Sequence, residues 1–64
     1  MTPEAFRAWQ SHLHLSGREI AAKLGKTETT IVNWRKHGVP PSDSLLVRMA
    51  LSAIAHNLPP WRET

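Results

Sequence analysis

The chain has no cysteine, which excludes disulfides and thiolate-held metals as sources of stability and fits a reducing compartment. A long apolar run is also missing. The most apolar stretch, Leu45 to Leu58, falls short of the roughly 20 residues that span a bilayer and is interrupted by Arg48 and His56. The start, Met1-Thr2-Pro3-Glu4, lacks the basic residues and apolar segment of a secretory leader. The expectation is a soluble cytoplasmic protein without a membrane partner. Glycine-rich phosphate loops, repeats and low-complexity segments are absent. The histidines (His12, His14, His37 and His56) stand without a carboxylate cluster or metal-ligand spacing, and Ser42-Asp43-Ser44 has no base at useful distance. No metal site, cofactor, small-molecule ligand or enzymatic activity is therefore expected.

The chain that remains is 64 residues long and 41% apolar, an ordinary share for a folded protein, so wholesale disorder is not expected. Residues 1–64 make one domain at most. A chain of this size buries only about 60% of the surface exposed when unfolded and is marginal alone. Without disulfides or metal, a good helical core or a partner subunit must supply the difference.

Periodicity and caps predict an all-α fold of about four helices. The first runs from Pro3 to about His12. Thr2 is its cap, Pro3 its first residue, and Ala5, Phe6, Trp9 and Leu13 its apolar face. The second, Gly17 to Leu24, opens on a Ser16-x-x-Glu19 capping box, turns Ile20, Ala21 and Leu24 inward and stops at Gly25. The third, Glu28 to His37, is capped by Thr27, buries Ile31 and Trp34 and stops at Gly38. After the stiff Val39-Pro40-Pro41 link, a fourth helix spans about 42–57. It is expected to start on a Ser42 cap and to end at Pro59-Pro60, with Trp61 folding back or fraying.

The net charge is +3, and all of the excess falls in 16–38. There Arg18, Lys23, Lys26, Arg35 and Lys36 oppose Glu19 and Glu28, whereas the flanking segments cancel. A basic segment is an electrostatic footprint for polyanions. Helices two and three are joined only by Gly25-Lys26-Thr27, and two helices so close must cross steeply. Ala21 and Gly25 are small enough for the crossing, and Ile31 and Trp34 fill its corner. These are the marks of a helix-turn-helix, whose second helix enters the DNA major groove.

The run Leu15-Ser16-Gly17-Arg18-Glu19-Ile20-Ala21-Ala22-Lys23-Leu24-Gly25-Lys26-Thr27-Glu28-Thr29-Thr30-Ile31-Val32-Asn33-Trp34-Arg35-Lys36-His37-Gly38 resembles the Cro/cI (xenobiotic-response-element) helix-turn-helix repressors. The family's small, glycine, β-branched and bulky apolar positions match Ala21, Gly25, Ile31 and Trp34. The family often carries glutamine after the capping serine, where it braces a phosphate contact; Gly17 stands there in this chain. The Leu58-Pro59-Pro60 ending after an apolar helix is similar, more loosely, to short phage and mobile-element regulators, including anti-CRISPR-associated repressors.

With the third helix in the groove, Glu28, Thr29, Val32 and Asn33 are the expected base contacts. Glutamate accepts from cytosine, asparagine pairs with adenine, and threonine or valine meets a thymine methyl. Ser16, Arg18, Lys26, Thr27, Arg35 and Lys36 are the expected phosphate contacts. Trp9, Trp34 and Phe6 read as core. The fourth helix is apolar on three stripes, with only Ser44, Arg48, Ser52 and His56 forming a polar line. A domain this small covers one apolar face, and the other predicts a homodimer through Leu46, Val47, Ala50, Leu51, Ile54 and Leu58. The function expected is that of a nucleoid-associated repressor on a palindromic double-stranded DNA operator, with autoregulation of its own operon as one use. The alternative is an antitoxin or protein-interaction adaptor on the same fold.

Overall fold

A computed structural model of the chain describes residues 1–58. It contains α1 (Pro3–Leu13), α2 (Gly17–Leu24), α3 (Glu28–His37) and α4 (Pro41–Ala55), with no strand among the described residues. Three of the four helices begin on the side-chain caps the sequence offers. The Thr2 hydroxyl accepts from the Ala5 amide at 3.1 Å, that of Ser16 from Glu19 at 3.1 Å, and that of Thr27 from Thr30 at 3.2 Å.

The helix ends are less uniform. Gly25 closes α2 in the left-handed conformation (φ 68, ψ 32). α1 runs one residue beyond His12, to Leu13, and His14 takes the same left-handed turn (φ 55, ψ 37). The amides of His14 and Leu15 then return to the carbonyls of Ser11 and Gln10. α3 stops differently. Gly38 has φ 89 and ψ 170, a region open essentially to glycine alone. A Cβ there would lie 2.6 Å from the Met1 carbonyl oxygen. The Met1 carbonyl accepts from the Val39 amide at 2.9 Å, and the Met1 ammonium donates to the Val39 carbonyl at 3.2 Å and to Ser44 Oγ at 3.0 Å. The first residue is thereby tied to the link between α3 and α4.

α4 begins one residue before the expected Ser42 cap. Pro40 is extended (φ −55, ψ 147), as a residue preceding proline must be, and no side chain caps the helix. Pro41 is already set for the first helical position, which places Ser42 inside the helix. The helix ends before the two prolines are reached: Asn57 has φ 55, and the Leu58 amide bonds the Ala53 carbonyl at 2.9 Å. The expectations for Pro59-Pro60 and Trp61 lie outside the described residues.

Phe6, Ile20, Ile31 and Leu51 are fully buried and, with Ala21, Trp34, Val39 and Val47, form one core. Full burial of each large aliphatic or aromatic side chain contributes about 1.5–3 kcal/mol. The Phe6 and Trp34 rings meet edge to face, centroids 5.7 Å apart. Met1, Trp9, Leu13, Leu15, Leu24 and Ile54 pack around this centre. α3 lies against both α1 and α2, and α4 packs on α1. Among the described residues no helix is long and apolar enough to cross a membrane.

Two of the expected dimer contacts are corrected by this packing. Val47 and Leu51 are buried in the chain's own core, and Ile54 packs against it. Residues 47, 51 and 54 share one side of α4 at helical spacing, and α1 with the 38–39 bend has already covered that side. What α4 leaves exposed is Leu46 (70%), Leu45 (63%), Leu58 (62%) and Met49 (61%); neither Leu45 nor Met49 was among the expected contacts. Ala50 is half-buried.

Candidate nucleic-acid interface

The three-residue connection Gly25-Lys26-Thr27 brings the end of α2 directly onto the start of α3. Left-handed Gly25 lets the amides of Gly25 and Lys26 bond the carbonyls of Ala22 and Ala21, and Thr27 at once caps the next helix. The Thr27 and Thr30 hydroxyls lie 3.1 Å apart and bond each other. Ile31 and Trp34, buried to 0% and 6% exposure, fix which side of α3 faces the core. The opposite side is then set by the 3.6-residue period.

Glu28, Thr29, Val32 and Asn33 all fall on that outward side and are exposed, and Lys36 continues it one turn on. The four expected base-contacting residues therefore share one continuous surface. It is small, polar or β-branched and carries one carboxylate. Val32, an apolar residue, is 47% exposed on this surface.

The expected phosphate contacts divide into free and engaged groups. Arg18, Lys26 and Lys36 are exposed. Ser16 and Thr27 are exposed too, but their hydroxyls serve as helix caps. At the start of α2 the cap is reciprocal, because the Ser16 amide donates to Glu19 Oε1 at 3.0 Å. The two hydrogen bonds from Ser16, backbone and side chain, and the nearby Lys23 charge hold the Glu19 carboxyl below its ordinary value of 4.5. Gly17 follows this cap. A Cβ built there would meet only Ile31 Cγ2 at 3.7 Å, an ordinary contact, so a side chain fits.

Arg35 is drawn toward α1. Its guanidinium donates to Gln10 Oε1, and the Arg7 guanidinium donates to the Arg35 backbone carbonyl. Gln10 is the one buried polar residue of the described chain, 7% exposed, and its Nε2 donates to the Leu15 carbonyl at 3.0 Å. Gln10 thus ties α1 to the loop before α2 and to the last turn of α3. Sequence reasoning overlooked both Arg7 and Gln10. The available signal was a glutamine on the apolar stripe of α1, in line with Phe6 and Leu13. Arg7 also approaches Glu4, at 3.9 Å, so its charge is partly answered within α1.

Among the described residues no group of three histidines, aspartates or glutamates comes together as a metal site would need. In comparison with known proteins, the chain matches no family model, no curated protein and no solved structure.

Proposed function

We propose that this chain is a helix-turn-helix transcriptional repressor, not an enzyme, that binds double-stranded DNA as a homodimer on a palindromic operator. The observation that carries the reading is the outward face of α3. Glu28, Thr29, Val32 and Asn33 are exposed together while Ile31 and Trp34 anchor the opposite side. Side chains of this kind match base edges in the major groove, and helix-turn-helix docking places such a helix there. The cations that flank it, Arg18, Lys26 and Lys36, serve the phosphates, as does Arg35 through the guanidinium N–H groups that Gln10 does not take. Two recognition helices related by a twofold axis read half-sites about 34 Å apart.

Titration of labelled duplexes at several salt concentrations tests the proposal. Four cations per copy, eight per dimer, set a limiting slope of log K against log salt near −7. A single palindrome should bind at least ~1,000-fold tighter than unrelated duplex. A protein indifferent to both salt and sequence is not a repressor.

The exposed apolar stripe of α4 favours a second reading, an antitoxin or adaptor that uses the same fold to hold a protein. Absence of duplex affinity with self-association retained would select it.

A further inference from the structure

We infer that two copies of the chain join through the outer stripe of α4, crossing antiparallel with Met49 at the twofold axis and Leu46 of each copy over Ala53 of the other. The inference rests on the homodimer reading above and specifies the surface and register that reading leaves open. Leu45, Leu46, Met49 and Leu58 are each more than 60% exposed, and half-buried Ala53 lies among them. Leu58 reaches this side because its amide turns back to the Ala53 carbonyl at 2.9 Å. The result is one continuous strip along the helix rather than scattered apolar residues.

Three properties of the strip identify its occupant. None of its five residues is charged; Arg48 stands along one edge, and exposed His56 follows Met49 two turns further along the helix. A partner recognised by charge would need a countercharge within the strip, whereas a copy of the same strip meets no penalty. Secondly, the strip is bulky at Leu45 and Leu46 and small at Ala53, between Met49 and Leu58. A parallel pairing sets Ala53 against Ala53 and leaves a gap. An antiparallel pairing sets leucine against alanine and lets the backbones approach evenly, since large and small residues alternate across a close-packed contact. On the helical wheel, residues 46 and 53 lie on the same side of Met49, so a twofold axis at Met49 faces each toward the other. Lastly, four large apolar side chains, each more than 60% exposed on either copy, supply the apolar centre that a specific interface of about 1,000 Å² or more requires.

The absence of cysteine makes the register directly testable by single introduced cysteines under mild oxidation. With the axis at Met49, two Leu46 positions lie about 9 Å apart along the helix and two Ala53 positions about 12 Å, whereas 46 and 53 of opposite copies differ by only about 1.5 Å. Disulfides need Cα atoms within about 7 Å. M49C should therefore link to itself. L46C and A53C should link when mixed and not separately, and R48C, one residue around the helix, should not link. Leu46→Glu, at an exposed position that leaves the fold intact by circular dichroism, should turn the dimer into a monomer. Self-linking of L46C without linking in the mixture, a dimer that survives Leu46→Glu, or a wild-type protein monomeric at its highest soluble concentration each overturns the inference. A linked M49C dimer that ignores duplex DNA supports this interface and removes the DNA-binding reading alone.

Discussion

Gly25 and Gly38 both carry positive φ, yet replacing each by alanine should have unequal consequences. At Gly25 (φ 68, ψ 32) nothing lies within 4 Å of an added Cβ, so the cost is the left-handed conformation alone, roughly 1–2 kcal/mol. At Gly38 the conformation itself costs about 1–3 kcal/mol. The new Cβ would also lie 2.6 Å from the Met1 carbonyl oxygen, 3.1 Å from Pro3 Cδ and 3.2 Å from Pro3 N. Backbone atoms cannot swing aside as a side-chain tip can, so Met1 must leave. With it go the Val39 amide bond and the two ammonium bonds to Val39 and Ser44, each contributing about 0.5–1.5 kcal/mol net. The total for Gly38→Ala is about 2.5–7.5 kcal/mol, against a stability of about 3–10 kcal/mol for a domain of this length. At about 4–8 °C per kcal/mol, Gly25→Ala should lower the melting temperature by roughly 5–15 °C. Gly38→Ala should lower it by roughly 10–60 °C, the upper part of which prevents folding. Thermal and urea unfolding followed by far-UV circular dichroism measures both. Equal melting temperatures for the two variants would refute the reasoning, because they would mean that Met1 does not press on Gly38 in solution.

Gly17→Gln should raise stability by up to about 0.5–1 kcal/mol through removal of a helical glycine, and should tighten duplex binding with the salt slope unchanged; a gain in melting temperature without a gain in affinity would place the start of α2 away from the DNA backbone. Asn33→Ala should cost about 1–3 kcal/mol on the preferred operator and relax selection at one base position, whereas Lys36→Ala should weaken all duplexes alike and flatten the salt slope by about 0.9 per copy; identical sequence profiles for the two variants would contradict the division into base and phosphate contacts. The lowered Glu19 carboxyl makes the capping box favour folding above the ordinary glutamate range, and this contribution is lost as pH falls below 4.5 through the depressed value. Glu19→Gln keeps the hydrogen-bonding shape of the box and should remove that part of the acid dependence, read as a smaller drop in melting temperature between neutral and acid pH.

The parts of this fold legible in the sequence are those decided within a few residues. Thr2, Ser16 and Thr27 each cap the helix that follows, because cap and amide are separated by three residues and nothing distant need intervene. Gly25 closes α2 for the same local reason. The outward side of α3 was equally legible, since Ile31 and Trp34 leave little choice about which residues oppose them. The Gln10–Arg35 contact was not, because it joins positions 25 apart. Neither residue type announces a partner at that range.

α4 shows the limit most clearly. A helix apolar on three stripes does not encode which stripe goes inward, so the sequence supports several rotations about its axis. Of the polar line formed by Ser44, Arg48, Ser52 and His56, the last three are exposed, and only half-buried Ser44 departs from it. Ser44, Val47 and Leu51 share a side of the helix at spacings of three and four, and the structure turns that side inward. Half-buried Ser44 lies at the margin of that side, where its hydroxyl accepts from the Met1 ammonium at 3.0 Å. The rotation of α4 is therefore fixed by the packing of its inward side into the core, and the Met1 ammonium, 43 residues away, bonds Ser44 on that same side. By committing Val47 and Leu51 to the core, it leaves Leu46 and Met49 outside as the surface available to a second copy.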